Sequence, residues 1–187
     1  MASTYSTNLG IELIGTGDQA GSWGTTTNTN LGTLVEQSIS GYVTQAVSDD
    51  PASPTTLTIP DGASGVARNM TIEFTGALTA ARNVIVPANK KLYFIYNNTT
   101  GGYAITIGGA TGSTVSIPNG YACFVYCDGT NFYACDTSSG GNFYVNGTLI
   151  ATGAATLQGA LNVTGATSPS TPLGVSSGGT GGASQAA

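Results

Sequence analysis

From residue 42 to residue 138 the chain is divided into apolar or alternating runs too short for helices. TLTIP (56–60), NMTIEFTG (69–76), RNVIVP (82–87), KLYFIYN (91–97), YAITIGG (103–109), STVSIPNG (113–120), YACFVYCDG (121–129) and NFYACDT (131–137) are separated by turn signals. Strands of this kind at a spacing of roughly 8–12 residues build all-β layers. The expected fold class is therefore mainly β, with a central antiparallel β-sandwich or jelly-roll-like domain over residues 42–138. In KLYFIYN, Leu92, Phe94 and Tyr96 share one face while Tyr93 and Ile95 share the other. A strand apolar on both faces belongs at the centre of a sheet or against a partner. SDDPASP (48–54) reads as the linker into this domain.

The polarity of the chain comes from hydroxyls and amides. Charged residues make up 7% of the sequence, against about 25% in an average soluble domain. Apolar residues make up 40%, which is too many for a disordered chain. Arg68, Arg82, Lys90 and Lys91 are the only basic residues and the net charge is −5. That composition offers no surface for tracking phosphates, so nucleic acid is not expected as a partner. MASTYSTNLGIELIGTG lacks the basic and apolar regions of a signal peptide, and no run reaches the ~20 apolar residues of a membrane helix. Cytoplasmic synthesis without membrane insertion is the expectation.

Residues 1–24 read as an extended arm in which Leu9, Ile11 and Leu13 alternate before a glycine-rich turn. The arm is too poor in apolar residues to form a core of its own, so its burial requires a partner. Residues 25–41 form the one short helix expected. Leu31, Leu34, Val35 and Ile39 follow helical spacing, a Thr or Asn at 28–30 is a natural N-cap and Gly41 a natural stop. Trp23 stands between Gly21-Ser22 and Gly24, with no neighbour in sequence large enough to cover its ring. Such a ring serves as an interface anchor or as a ligand platform, and the anchor is preferred.

After residue 138 the chain changes character. Residues 139–168 carry glycine every sixth position at 147, 153, 159 and 165, giving GTLIAT, GAATLQ and GALNVT. The third and fifth places of each hexad fall on one side of a strand. Three hexads supply about one turn of a single-chain β-helix, and one turn has nothing to stack on. The apolar side must then be buried by other copies, in an intertwined trimeric β shaft with Leu149, Leu157, Leu161 and Val163 inside. A flexible Gly/Thr linker is the plainer alternative. Residues 169–187, PSTPLGVSSGGTGGASQAA, read as a flexible linker or the start of a distal region.

Chemistry is hard to find. Cys123 and Cys127 lie four residues apart on one strand, about 13 Å, too far to share a zinc ion, and the chain has no histidine. Hairpin loops of two or four residues place Phe124, not Cys123, opposite Cys135, so all three cysteines are expected as buried thiols outside any disulfide. Asp61 and Asp128 precede glycines as turn residues, and Asp49 and Asp50 adjoin Pro51. No spacing pairs two carboxylates for acid–base work, and the histidine triads are excluded. The glycine-rich stretches match no phosphate-loop spacing. No catalytic residue, cofactor or metal site is expected.

STNLGIELIGTGDQAGSWGTTTNTNLGTLVEQSISGY resembles the N-terminal segment of tail fibre and related structural proteins of tailed bacteriophages, especially marine and cyanobacterial ones. NGTLIATGAATLQGALNVTGA resembles the Gly-Thr-Leu-x-Val-Thr-Gly shafts of such fibres, and SSGGTGG the start of the segment that precedes a distal domain. Together these cover roughly residues 3–42 and 142–182. The resemblance implies a homotrimeric virion protein whose N-terminal segment anchors to adaptor, nozzle or baseplate proteins of the tail and whose distal end faces the host. A carbohydrate-binding module holding a host surface glycan on the tyrosines of the central domain is the rival reading. A head decoration fibre is a nearby variant of the first.

Overall fold

The structure, a computed structural model, describes residues 3–135, all within the compact unit Met1–Asn142. The predicted shaft, with Leu149, Leu157, Leu161 and Val163, and the tail 169–187 lie outside the described residues. A short hairpin pairs β1 (Thr4–Tyr5) with β2 (Glu12–Leu13). A continuous helix follows in three parts, α1 (Trp23–Thr29), a π-helical stretch (Asn30–Val35) and α2 (Glu36–Ser40). Nine strands complete the order: β3 (Tyr42–Ala46), β4 (Thr55–Thr56), β5 (Thr71–Thr75), β6 (Arg82–Ile85), β7 (Lys91–Asn97), β8 (Ile105–Gly108), β9 (Val115–Ile117), β10 (Ala122–Cys127) and β11 (Phe132–Ala134).

The fold is mainly β, and two sheets face each other across one core, but the predicted antiparallel sandwich needs correction. The first sheet runs β11-β10-β7-β5-β3 and the second β4-β6-β8-β9. The strands β3, β5 and β7 are parallel to one another, and so are β4, β6 and β8. From β3 to β8 each strand lies in the sheet opposite its predecessor, so the chain winds as a short β-solenoid. Tyr42 pairs with Thr71 and Thr71 with Phe94 in one sheet, while Thr55 pairs with Val84 and Val84 with Ile107 in the other. Both sheets thus advance by 29 residues in the first turn and 23 in the second. The six extra residues fall between β4 and β5. Antiparallel pairing takes over only at the end, in β8–β9, β7–β10 and β10–β11.

Alternation within each strand builds the core. Ile72, Phe74, Tyr93, Ile95 and Val125 from one sheet meet Val84, Ile105, Ile107, Val115 and Ile117 from the other in a single buried cluster. At ~25 cal/mol per Å² of apolar surface removed from water, each of these side chains contributes ~1.5–3 kcal/mol against the entropy of ordering the chain. β7 is the middle strand of five, where its two apolar faces put it.

The corners are polar, and the one after β7 is satisfied. Asn97, fully buried at the end of β7, donates from Nδ2 to the carbonyls of Tyr103 (3.2 Å) and Ile117 (2.9 Å). Its Oδ1 accepts from the Thr99 amide (3.2 Å) and hydroxyl (2.6 Å). One amide side chain therefore ties the first sheet to β9 of the second. At the same corner Gly101, with φ +104°, approaches the carbonyl of Leu78 one turn earlier so closely that a Cβ would lie 2.1 Å from that oxygen. Only glycine fits there.

SDDPASP is not a linker into the domain, because β3 precedes it; it is the corner between β3 and β4. Asp49 accepts from the Thr79 amide (3.0 Å) and hydroxyl (2.7 Å) and pairs with Arg82 (Nε 2.9 Å, Nη2 2.8 Å), joining the first turn to the second. The Thr79 amide and hydroxyl, and then Arg82, hold its carboxyl below the usual range. The extra residues between β4 and β5 wrap the buried Arg68, whose Nη2 donates to the carbonyls of Pro60 and of Ala63 (2.7 Å).

Candidate interaction surfaces

The N-terminal segment forms the first surface. The expected arm folds back as the β1–β2 hairpin and rests on the turns of the solenoid. Asn8 accepts from the Asn89 side chain (2.7 Å) and the Lys90 amide (3.0 Å), and the Gly10 carbonyl accepts from the Gly62 amide (2.8 Å). Leu9 and Ile11 are half-buried, while Leu13 is half exposed.

The helix begins at Trp23, before the predicted cap, and Ser22 makes no side-chain capping bond. Thr and Asn are weak helix formers, so tertiary bonds hold the segment. The Asn30 side chain both donates to the Glu12 carbonyl (2.8 Å) and accepts from the Glu12 amide (3.1 Å). Gly41 is extended and ends the helix, as expected.

Of the residues predicted to dock, Trp23 (62%), Leu31 (62%) and Ile39 (70%) stand exposed, and Val35 is partly buried. Leu34 is the correction. It is completely buried and is the only apolar side chain of the helix to be so, which removes it from any docking surface. Its register places it on the face that Asn30 turns inward.

The second surface was not assigned from the sequence. On the outer side of the five-stranded sheet, Tyr42, Thr71, Phe94 and Phe124 stand in one cross-strand row, and Leu92, Tyr126 and Tyr133 in another. Leu92, Phe124, Tyr126 and Tyr133 are each about 40% exposed and Tyr42 61%. The rings are ordered against one another, Phe94 and Phe124 tilted with centroids 4.8 Å apart and Tyr126 stacked on Tyr133 at 4.9 Å.

Two carboxylates adjoin these rows: Glu73 accepts from the Tyr42 hydroxyl and from Asn98 Nδ2 (2.5 Å), and Asp128 accepts from the Tyr133 hydroxyl (3.3 Å). A signal for this face was present in ACFVYC. Its inward side carries Cys123, Val125 and Cys127, while the larger Phe124 and Tyr126 point outward.

Two clefts adjoin the sheets, and the first shares Tyr133 with the aromatic face. One, of about 580 Å³, opens at the end of the solenoid between β9 and β10–β11, lined by Val115, Ile117, Tyr121, Cys123 and Phe132 among others. The other, of about 420 Å³, lies on the outer side of the four-stranded sheet beside Asp50, Pro51, Asn83, Ile85 and Thr106.

Titratable groups are dispersed. Asp128 accepts from the amides of Thr130 and Asn131 (both 2.8 Å), the turn role expected of it, and those bonds lower its pKa. Lys91 sits with Nζ 4.3 Å from the Tyr93 ring centroid and donates to the Asn69 carbonyl (3.1 Å). Burial, and then the Arg68 charge, lower it to about 8. Burial pushes the Tyr93 hydroxyl well above its ordinary value.

Among the described residues no three His, Cys, Asp or Glu side chains gather as a metal group. Cys123 and Cys127 are buried, but Cys135 is exposed, contrary to expectation, and none of the three is in a disulfide. The Cys135 amide bonds to the Phe124 carbonyl (2.8 Å), in the register that the four-residue loop requires. β11 ends at Ala134 and leaves Cys135 at the rim. Comparison of the chain with known protein families, with curated proteins and with solved structures finds no match in any of the three.

Proposed function

We propose that this chain is a structural component of a phage virion, a homotrimeric tail fibre or its tail-proximal part, anchored through its N-terminal segment and projecting toward the host. The observation that carries the reading is the uncovered apolar row Trp23, Leu31 and Ile39, which lies in the stretch resembling the tail-attachment region of such fibres. Large apolar side chains held in water on a formed helix call for a protein partner, and here that partner is a tail protein.

Function through assembly also accounts for side-chain carboxylates engaged in corners and turns, Asp49 with Thr79 and Arg82 and Asp128 with its own loop. In this reading the chain is not an enzyme. The glycine hexads supply the stoichiometry, because one chain has too few of them to bury their apolar side. The second reading, a carbohydrate-binding module, is favoured by the exposed tyrosines of the five-stranded sheet.

Full-length protein at micromolar concentration is expected to weigh three chains by light scattering, and a strict monomer would overturn the homotrimer. The triple variant Trp23→Ser, Leu31→Ser, Ile39→Ser alters only exposed positions and is expected to remain trimeric but to be missing from assembled particles. Normal incorporation would sink the docking assignment.

A further inference from the structure

We infer that the outer face of the five-stranded sheet, centred on Phe94 and Phe124 and bounded by Tyr42, Tyr126 and Tyr133, is the surface through which copies of this chain pack on one another. The inference rests on the homotrimer reading above and locates a contact that the reading leaves unplaced. Aromatic side chains bury ~150–250 Å² each, so at the observed exposures this face offers roughly 400 Å² of apolar surface. That is as large as the biggest patch on a typical monomer, and such patches are often functional. It is also only about half of the ~800 Å² per partner of a free-standing interface.

A face of that size holds copies together only if something else brings them near. The chain leaves β11, the edge strand of this same sheet, at Cys135, and the first hexad glycine, Gly147, is twelve positions later. Twelve residues span at most about 43 Å. Copies joined through their hexads would therefore meet their aromatic faces at an effective concentration of order millimolar, at which even a weak contact forms.

The chemistry of the face favours a copy of itself over a sugar. Glu73 is already engaged by Tyr42 and Asn98, and Asp128 at the edge by Tyr133 and the amides of its own loop, so each carboxylate of the face keeps its hydrogen-bond donors when the face is covered. Tyr126 stacks on Tyr133 and Phe94 tilts against Phe124; the cleft at the end of the solenoid meets this face at Tyr133, and the second cleft lies on the other sheet.

Thiol cross-linking of the full chain tests this. In a Cys135→Ser background, Thr71→Cys places a thiol between Tyr42 and Phe94, and Ser116→Cys places one on the outer side of the four-stranded sheet. A short bis-maleimide is expected to convert the Thr71→Cys protein to covalent dimers, the largest product that one accessible thiol per chain allows, with at least five-fold higher yield than the Ser116→Cys protein. Equal yields from protein that still weighs as a trimer would overturn the assignment of the face while leaving the homotrimer standing. A monomeric mass would remove the homotrimer and this inference together. Quenching of tyrosine emission by maltohexaose, in a trimer that Thr71→Cys fails to cross-link, would give the face to a sugar instead.

Discussion

The two sheets share the same solenoid turns, yet their outer sides have little in common. Leu92, Phe94, Phe124, Tyr126 and Tyr133 stand on the five-stranded side, whereas Thr56, Asn83, Ile85, Thr106 and Ser116 stand on the four-stranded side. Inward positions are apolar on both. Folding requires only that every second residue enter the core. The outward half is left to other demands, and those demands differ between the faces. The hydroxyl and amide side is suited to water and the ring-covered side to a partner.

The contrast exists only while one core holds both sheets, so the largest effect is expected where they are joined. Asn97→Ala leaves the half-buried carbonyl of Tyr103, the buried carbonyl of Ile117 and the Thr99 amide and hydroxyl without the partners that Asn97 supplies. Each buried polar group left unsatisfied costs ~1–3 kcal/mol, and partial relaxation brings the total to about 3 kcal/mol. Urea unfolding of the full chain should show that loss as a lower midpoint with an unchanged slope. A loss below about 1 kcal/mol would mean that the corner does not couple the faces.

A smaller effect separates the interior from both faces by charge. Lys91 is lowered from 10.5 to about 8 by burial and by Arg68, so below pH 8 the folded state carries a cation it disfavours. Between pH 8 and the unfolded value near 10.5 the unfolded chain binds more protons, and stability rises with pH. Ionisation of Tyr93, disfavoured in the folded state, removes stability above pH 10. The usable window is therefore pH 8–10. The shift converts to ~3 kcal/mol at 1.36 kcal/mol per unit, reduced by solvent screening of a partly exposed amine to about 1–2 kcal/mol. Thermal midpoints should climb through that window in the native chain and stay flat in Lys91→Met. A midpoint that falls from pH 8 to pH 10 in the native chain would refute the assignment.

Most of the strands were visible in the sequence, and their pairing was not. KLYFIYN is β7 residue for residue, and RNVIVP, YACFVYCDG and NFYACDT each contain their strand. Alternation reports which side of a strand is buried and carries nothing about the direction of its neighbour. A turn signal likewise looks the same whether the chain folds back or crosses to the facing sheet. β3 escaped notice because YVTQA has a single strong apolar residue inside, Val43, and borrows its burial from β5. Asp49 passed for a linker residue because its partners, Thr79 and Arg82, are some thirty positions away. The exposure of Trp23 was legible from its flanking glycines. The burial of Leu34 was not, since it depends on how Asn30 grips the hairpin.

The smallest predicted effect bears most directly on the two faces. Phe124→Ala removes a ring whose centroid lies 4.8 Å from that of Phe94, while Ser116→Ala removes a hydroxyl from an exposed position on the other sheet. Aromatic pairs contribute ~0.5–1.5 kcal/mol beyond area burial, whereas exposed substitutions away from such contacts stay within about ±0.5 kcal/mol. Phe124→Ala should therefore cost about 1 kcal/mol more than Ser116→Ala in urea unfolding of the full chain. If copies pack through the aromatic face, that gap should narrow in a background carrying Leu149→Ser, Leu157→Ser and Leu161→Ser, because copies no longer joined through their hexads lose the effective concentration that forms the contact. A gap unchanged by that background would confine Phe124 to holding its own sheet together. A gap that narrows would assign the same ring a second role between chains.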